Sequence, residues 1–191
     1  MRSPKELLKF RCTGCGNCCK EPLLPLTCAD VIRIRESTGD DPMDFVRFVD
    51  EDAIDLEGEP EAFALLAQGK RVMILRHQGG GCRYLGEDLR CKIYESRPLG
   101  CRIFPFDPAF DKRGGLRRLK LIQATDCKYE LDGGNDPDEL RTLHQLYEAA
   151  TALYQQKIAA WNREQQRRKR LGKRPQSSRR FLSYLGALSK G

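Results

Sequence analysis

Four thiols in eight residues, Cys12-Thr13-Gly14-Cys15-Gly16-Asn17-Cys18-Cys19, constrain this chain more than any other stretch. Two-residue spacing lets pairs of side chains converge on one metal ion, and thiolates select zinc, copper(I) or iron–sulfur clusters over hard cations. Gly14 and Gly16 permit positive φ, so backbone amides can turn toward a thiolate centre. Cys18 and Cys19 are sequence neighbours, and neighbouring side chains diverge in both helix and strand. The pair therefore predicts two metals or a cluster rather than one mononuclear tetrahedral site. Four further thiols follow at Cys82, Cys91, Cys101 and Cys127. The reading is one divided site that ties the N-terminus to the middle of the chain. Inert core thiols are the alternative, disfavoured because such residues do not cluster at ligand spacing.

Nine cysteines are informative only in a known redox setting. The charged stretch Met1 to Phe10 lacks the apolar core of a signal peptide, and no apolar run approaches the ~20 residues that span a bilayer. These features predict a cytoplasmic protein without a membrane partner, in which thiols stay reduced and serve as metal ligands or redox groups. The odd count leaves at least one thiol another role. The net charge of +7 is unevenly placed: residues 163–180 hold nine Arg or Lys and one Glu. With that surplus set aside the rest of the chain is mildly acidic, so a basic tail carries the imbalance.

The pattern of elements predicts an α+β fold. Pro4 starts a helical turn, and Pro22 and Pro25 keep residues 21–26 extended. Thr27-Cys28-Ala29-Asp30 forms a capping box for a helix to about Ser37, ended by Thr38-Gly39. Asp41-Pro42 starts a second helix, with Phe45, Val46, Phe48 and Val49 as its apolar stripe. Residues 59–67 suit a short helix, and Arg71 to Leu75 a strand. Cys82 to Leu85 and Leu89 to Tyr94 read as two strands around Gly86-Glu87-Asp88, Leu99 to Phe106 as extended, and Leu116 to Ala124 as a strand. Asp136-Pro137 opens the longest helix. Its stripe of Leu140, Leu143, Leu146, Tyr147, Ala150, Leu153, Tyr154, Ile158 and Trp161 reaches toward Arg170. Gly172 and Pro175 break it, and Phe181 to Leu188 add a short amphipathic end. The expected organisation is a cysteine domain over 1–134, the long helix over 135–170, and a basic linker with amphipathic tail over 171–191.

A bacterial ferredoxin loop would need another cysteine soon after Cys19, followed by proline; Lys20 to Leu26 holds none. The second segment reads Cys82-Arg-Tyr-Leu, Cys91-Lys-Ile-Tyr94-Glu-Ser-Arg97-Pro98 and Cys101-Arg102-Ile-Phe104-Pro105-Phe106. With Leu26-Thr27-x-x-Asp30, it resembles the YkgJ-type cysteine-cluster proteins, the CxxCxxCC family of zinc- or iron-chelating domains. The resemblance covers about residues 10–130. It implies metal binding by Cys12, Cys15, Cys18, Cys19, Cys82, Cys91 and Cys101. Cys127 stands where the family carries a further cysteine, here followed by Lys128-Tyr129 rather than Pro-Gly. Cys28 fills a variable position and is expected to face the core. More distantly, the pattern is similar to flagellin lysine N-methylase, which implies an iron–sulfur cluster in some members.

Eight thiolates suit two zinc sites of four thiolates each, one 4Fe–4S cluster with a second centre, or, with bridging sulfurs, one multinuclear cluster. Arg97 and Arg102 would offset the negative charge of metal thiolates. Tyr94 reads as a core tyrosine and Asp30 as a helix N-terminal charge. His77 has a ligand or surface role, and His144 a structural one in the long helix. Gly79-Gly80-Gly81 precedes a cysteine strand rather than a helix, so it reads as a turn and not as a site for S-adenosylmethionine.

Three functions follow. The first is a cytoplasmic metal-binding protein with an iron–sulfur or zinc centre and a redox or electron-transfer role toward a protein partner. The second is a structural zinc module whose basic arm, 163–180, binds nucleic acid or an assembly; against it stands a solvated helix end with a disordered linker. The third, by analogy alone, is a protein-modifying enzyme such as a lysine methylase.

Overall fold

The computed structural model describes residues 2–20, 23–54, 56, 60–123 and 126–188. The chain is α+β. In chain order its elements are α1 (Pro4–Leu7), β1 (Arg11–Cys12), α2 (Asn17–Lys20), α3 (Cys28–Thr38), α4 (Pro42–Phe45), β2 (Val46–Val49), β3 (Ala64–Leu66) and β4 (Gly69–Leu75). There follow β5 (His77–Gln78), β6 (Gly81–Cys82), α5 (Leu99–Ile103), β7 (Phe106–Phe110), β8 (Leu116–Leu121), β9 (Tyr129–Glu130), α6 (Pro137–Arg170) and α7 (Ser178–Tyr184). These elements form two compact units. One comprises Met1–Pro22 with His77–Ala149, the other Leu23–Arg76 with Ala150–Gly191.

The first unit is built on small antiparallel pairs: β1 with β9, β5 with β6, and β7 with β8. Its core gathers Leu7, Ile103, Phe106, Leu119 and Leu140, flanked by Phe10, Phe110 and Leu121. Segment 99–106 is not extended as its proline suggested. Leu99 and Ile103 are both buried, four residues apart, and that spacing turns α5 into a helix against the core. The expected strands over 82–85 and 89–94 shrink to Cys82 at the end of β6 and a bridge between Leu85 and Cys91. The amides of Tyr84 and Ile93 turn toward sulfur instead.

The second unit holds a sheet in the order β2-β4-β3. Its α3 starts with the predicted capping box: Asp30 N–H donates to Thr27 Oγ1 at 3.3 Å, and Thr27 N–H to Asp30 Oδ2 at 2.9 Å. Gly39, at φ 75°, closes it by donating to Arg35 O. Asp41 and Pro42 start α4 as read, but the helix ends at Phe45. Val46 to Val49 form a strand that pairs with β4, Val46 opposite Leu75 and Val49 opposite Val72. Their apolar spacing fits a helix, yet β-branched residues beside an unpaired strand edge take the ladder. Pairing with β4 likewise makes Ala64 to Leu66 a strand, where a helix was expected; Glu59, the start of that expected helix, lies outside the described residues.

Strand β3 is an edge, and its outer side is closed by side chains. Asn162 Oδ1 accepts from Leu65 N–H at 2.7 Å, and its Nδ2 donates to Phe63 O at 2.9 Å. Trp161 Nε1 donates to Leu65 O at 2.9 Å, and Ala67 N–H to Gln176 O at 2.9 Å. Gln176 is fixed by fully buried Gln165: Gln176 N–H donates to Gln165 Oε1 at 2.9 Å, and Gln165 Nε2 to Gln176 Oε1 at 3.2 Å. The return after α6 is therefore held rather than a free linker. Gly172 at φ 70° ends α6, with Lys173 N–H donating to Arg168 O. Phe181 and Leu182 are buried, and Trp161 lies 5.0 Å from the Phe181 ring.

The stripe predicted along α6 is discontinuous. Leu140 is buried in the first unit and Tyr154, Ile158 and Trp161 in the second, while Leu146, Tyr147 and Leu153 are exposed. Among the described residues no helix is long and apolar enough to cross a membrane.

Candidate metal centre

All eight predicted ligands lie in the first unit, and Cys28 lies in the second, buried on α3. The N-terminal loop is tied down at both ends. Arg11 and Cys12 pair with Glu130 and Tyr129 in β9. Arg11 forms ion pairs with Glu130 and, at 2.7 Å, with Asp132. Inside the loop, Thr13 Oγ1 donates to Lys128 O and Asn17 Nδ2 to Asp126 O, both at 2.8 Å. These bonds bring the loop onto the segment that carries Cys127, and the Cys15 and Cys127 thiols hydrogen-bond.

Two close approaches set the rest of the loop. Gly16, at φ 73°, sits against Leu89: a Cβ on Gly16 would stand 3.2 Å from Leu89 Cβ. Leu89 itself has φ 62°. On the other side a Cβ on Gly81 would lie 3.2 Å from Cys19 O, so β6 comes close to the loop only because residue 81 has no side chain. Gly79 and Gly80, at φ 64° and 86°, make the tight turn between β5 and β6. The three glycines thus form a hairpin turn, as read from sequence.

The sulfurs meet a recurring backbone arrangement. Gly14 N–H donates to Cys12 Sγ at 3.4 Å, and Tyr84 N–H to Cys82 Sγ at 3.4 Å. The Asn17 amide does the same for Cys15 and the Ile93 amide for Cys91. In each case the donor is two residues beyond the cysteine. Hydrogen bonds to sulfur favour the thiolate, the form that binds metal. At Cys15 burial opposes ionisation, but the amides of Asn17 and Lys128 and the Cys127 thiol outweigh it, and the pKa falls below the ordinary thiol value. Burial wins at Cys82 and Cys91 and pushes both thiols up, although the Tyr84 and Leu85 amides at one and the Ile93 amide and Arg97 at the other oppose it.

The Cys18 thiol hydrogen-bonds that of Cys19, and this contact, with burial and the neighbouring charges of Cys19 and Cys15, holds its pKa far above the ordinary range. Cys82 and Cys91 both sense Cys18 as a nearby charge. The adjacent thiols of Cys18 and Cys19 therefore do not diverge as expected; the short α2 turn holds them together. Cys12 is exposed on β1 and Cys101 half-buried on α5. Among the described residues, no three His, Cys, Asp or Glu side chains are gathered closely enough to hold a metal ion as they stand. The donor chemistry fits a thiophilic metal: eight sulfurs in one unit, four of them met by an amide two residues on.

The remaining candidates separate. Tyr94 is 59% exposed rather than packed in a core. Arg97 lies over its ring at 3.6 Å and donates to Tyr94 O at 2.9 Å, which places the guanidinium near Cys91. Arg102 is exposed on α5. His77 stands opposite Cys82 in the β5–β6 register, and burial lowers its pKa. On α6, His144 faces Glu148 at 3.6 Å and the Phe110 ring of β7. Asp30 belongs to the second unit, where it caps α3 and pairs with Arg33 at 2.6 Å. Sequence reading missed Asn17 and Thr13 as the groups that fasten the loop, and the amide donors. Their signal was positional: each such amide belongs to the second residue after a cysteine.

A family model, CxxCxxCC, described as "Putative zinc- or iron-chelating domain", matches residues 11–128. No curated protein and no solved structure matches the chain.

Proposed function

The chain belongs to the CxxCxxCC family of zinc- or iron-chelating domains, and we propose on that footing that Cys12, Cys15, Cys18, Cys19, Cys82, Cys91, Cys101 and Cys127 build one joint metal site, a 4Fe–4S-type cluster on four of these thiols with a second centre on the rest, in preference to zinc. The observation that carries this reading is that Cys18 lies near enough to Cys15 and Cys19 on its own loop, and to Cys82 and Cys91 on the other segment, for their charges to interact. Two independent zinc knuckles would keep their sulfurs apart. A site whose thiols sense one another across two segments suits a multinuclear centre. When bound, such a cluster supplies one-electron transfer, whereas zinc supplies a redox-silent cross-link.

The chain's own groups do the rest. The amides of Gly14, Asn17, Tyr84 and Ile93 hold negative charge on sulfur. Arg97 adds a positive charge near Cys91, balancing a centre with several thiolates. Cys12 is exposed on β1, and a protein partner would exchange electrons there. A metal held by both sets of thiols would join segments far apart in sequence.

The test is anaerobic purification of the full chain, followed by an absorption spectrum and elemental analysis of one sample. Broad visible absorption with iron and acid-labile sulfide is expected. A colourless protein with stoichiometric zinc overturns the iron–sulfur and redox reading and leaves a structural centre.

A further inference from the structure

The second unit gathers the cations of residues 163–180 on one helical hairpin. Gln165 and Gln176 clasp its two limbs, and Trp161 packs on Phe181 in α7. Of the nine Arg or Lys in this stretch, all but Arg168 are exposed. Among the described residues only Arg167 forms a side-chain ion pair with a carboxylate, Glu164 at 2.7 Å. The inner face of α6 is taken by Ile158, Trp161 and Gln165, all buried. Helical spacing then puts Arg163, Arg167 and Arg170 on the outward face, one per turn. Arg179 and Arg180 follow on α7, and four residues beyond Arg180 stands Tyr184, 43% exposed and backed by Trp161 at 5.3 Å.

We propose that this hairpin binds single-stranded nucleic acid, its arginines on the phosphates and Tyr184 as a stacking ring. Seven of the nine cations are arginine, whose planar fork matches phosphate oxygens in pairs. The chain between 163 and 180 contains no aromatic residue, so a tail read as a string offers charge alone; α7 adds Tyr184 one helical turn beyond Arg180, on the same helix face. Charge that tracks a backbone, together with a ring for bases, is the equipment of single-strand binding without sequence preference. A nearby cavity of about 660 Å³, lined by Arg35, Arg179 and Arg180, also carries Asp40 and Asp41. Those carboxylates make it less suited to phosphate, and the surface runs along the hairpin instead.

The experiment titrates labelled oligo-dT and oligo-U with the full metal-loaded chain, reading fluorescence anisotropy at several salt concentrations. The triple variant Arg163→Gln, Arg170→Gln, Arg174→Gln should bind at least about tenfold more weakly, and its log–log salt slope should fall by about 2. A control triple on the other unit, Lys112→Gln, Arg117→Gln, Lys120→Gln, removes equal charge and should leave binding within about twofold. Tyr184→Leu removes the ring and should weaken single-strand binding about tenfold, whereas Tyr184→Phe, which loses only the hydroxyl's bond to Lys157 O, should bind within about twofold of wild type. Equal loss in both triples, or no salt-dependent binding, overturns the proposal. So does competition by duplex DNA or polyglutamate as effective as that by the single strand.

Discussion

Asn17 donates through Nδ2 to the carbonyl of Asp126 at 2.8 Å, across 109 positions of sequence. The bond fastens the middle of the cysteine loop to the residue preceding Cys127. Losing it leaves the Cys15–Cys127 contact to Thr13, the Lys128 amide, the Arg11 ion pairs and the short β1–β9 pair. Asn17→Ala should lower stability by about 1 kcal/mol and speed metal loss to a chelator, with the Cys18 contacts untouched. Timed chelator competition with metal analysis checks this; unchanged release would mean the loop is held elsewhere.

Gly14 and Gly16 share nearly the same backbone, φ 71° and 73°, but not the same surroundings. A Cβ on Gly14 meets nothing within 4 Å, whereas one on Gly16 meets Leu89 at 3.2 Å. Gly14→Ala should therefore cost about 1–2 kcal/mol of backbone strain. Gly16→Ala should cost more, because it also pushes the 86–91 turn away from the loop. Thermal melting of the two variants, side by side, separates the terms.

The metal content of two serine variants tests the assignment of ligands. Cys18→Ser removes the thiol whose charge both groups sense and should lose most of the bound metal. Cys28→Ser changes a buried residue of the other unit, near Tyr154 and Lys157, and should retain it. Elemental analysis gives the answer directly, and equal content in both variants would remove Cys18 from the centre.

Asn162 should protect edge strand β3. Asn162→Leu keeps the bulk but leaves Leu65 N–H and Phe63 O without their partners, at about 1–3 kcal/mol for each buried group. The strand edge then offers itself to a second copy. Lower melting together with concentration-dependent light scattering is expected, and scattering unchanged from wild type would show that the edge is covered by other means.

Acid should loosen the clamp at β1. The Arg11 guanidinium holds the Asp132 carboxyl below its ordinary value. A depressed carboxylate pKa stabilises the fold at pH above the unfolded value, and that contribution disappears as pH falls through the folded value. Asp132→Asn should therefore flatten the acid limb of melting temperature against pH, below roughly pH 4. The difference between variant and wild type isolates this pair from metal loss, which acid causes in both.

Local chemistry made part of this protein legible from sequence. Thr27, Asp30 and Gly39 define α3 because a cap is decided within four residues, and Gly172 ends α6 for the same reason. Val46 to Val49 misled because helix spacing and strand pairing share one apolar pattern, and only β4 decides between them. Leu99 and Ile103 were hidden behind Gly100 and two prolines. In the site, the thiols announced themselves, but the amides that face them did not, since backbone groups leave no letter in the sequence. Asn17 and Thr13 look like ordinary loop residues until the chain returns at Asp126.

The first unit is completed only when His77–Ala149 joins Met1–Pro22, with Leu23–Arg76 belonging to the other. During synthesis the N-terminal thiols leave the ribosome about a hundred residues ahead of Cys127. At ~5–20 residues per second, that is roughly 5–20 seconds of waiting. Through that interval the loop has glycines, thiols and no Asp126 to close on, and four sulfurs crowded in eight residues are open to oxidation. The demand this fold places on a cell is one of timing: a reducing surrounding until the second strand of ligands arrives, and metal supply after it.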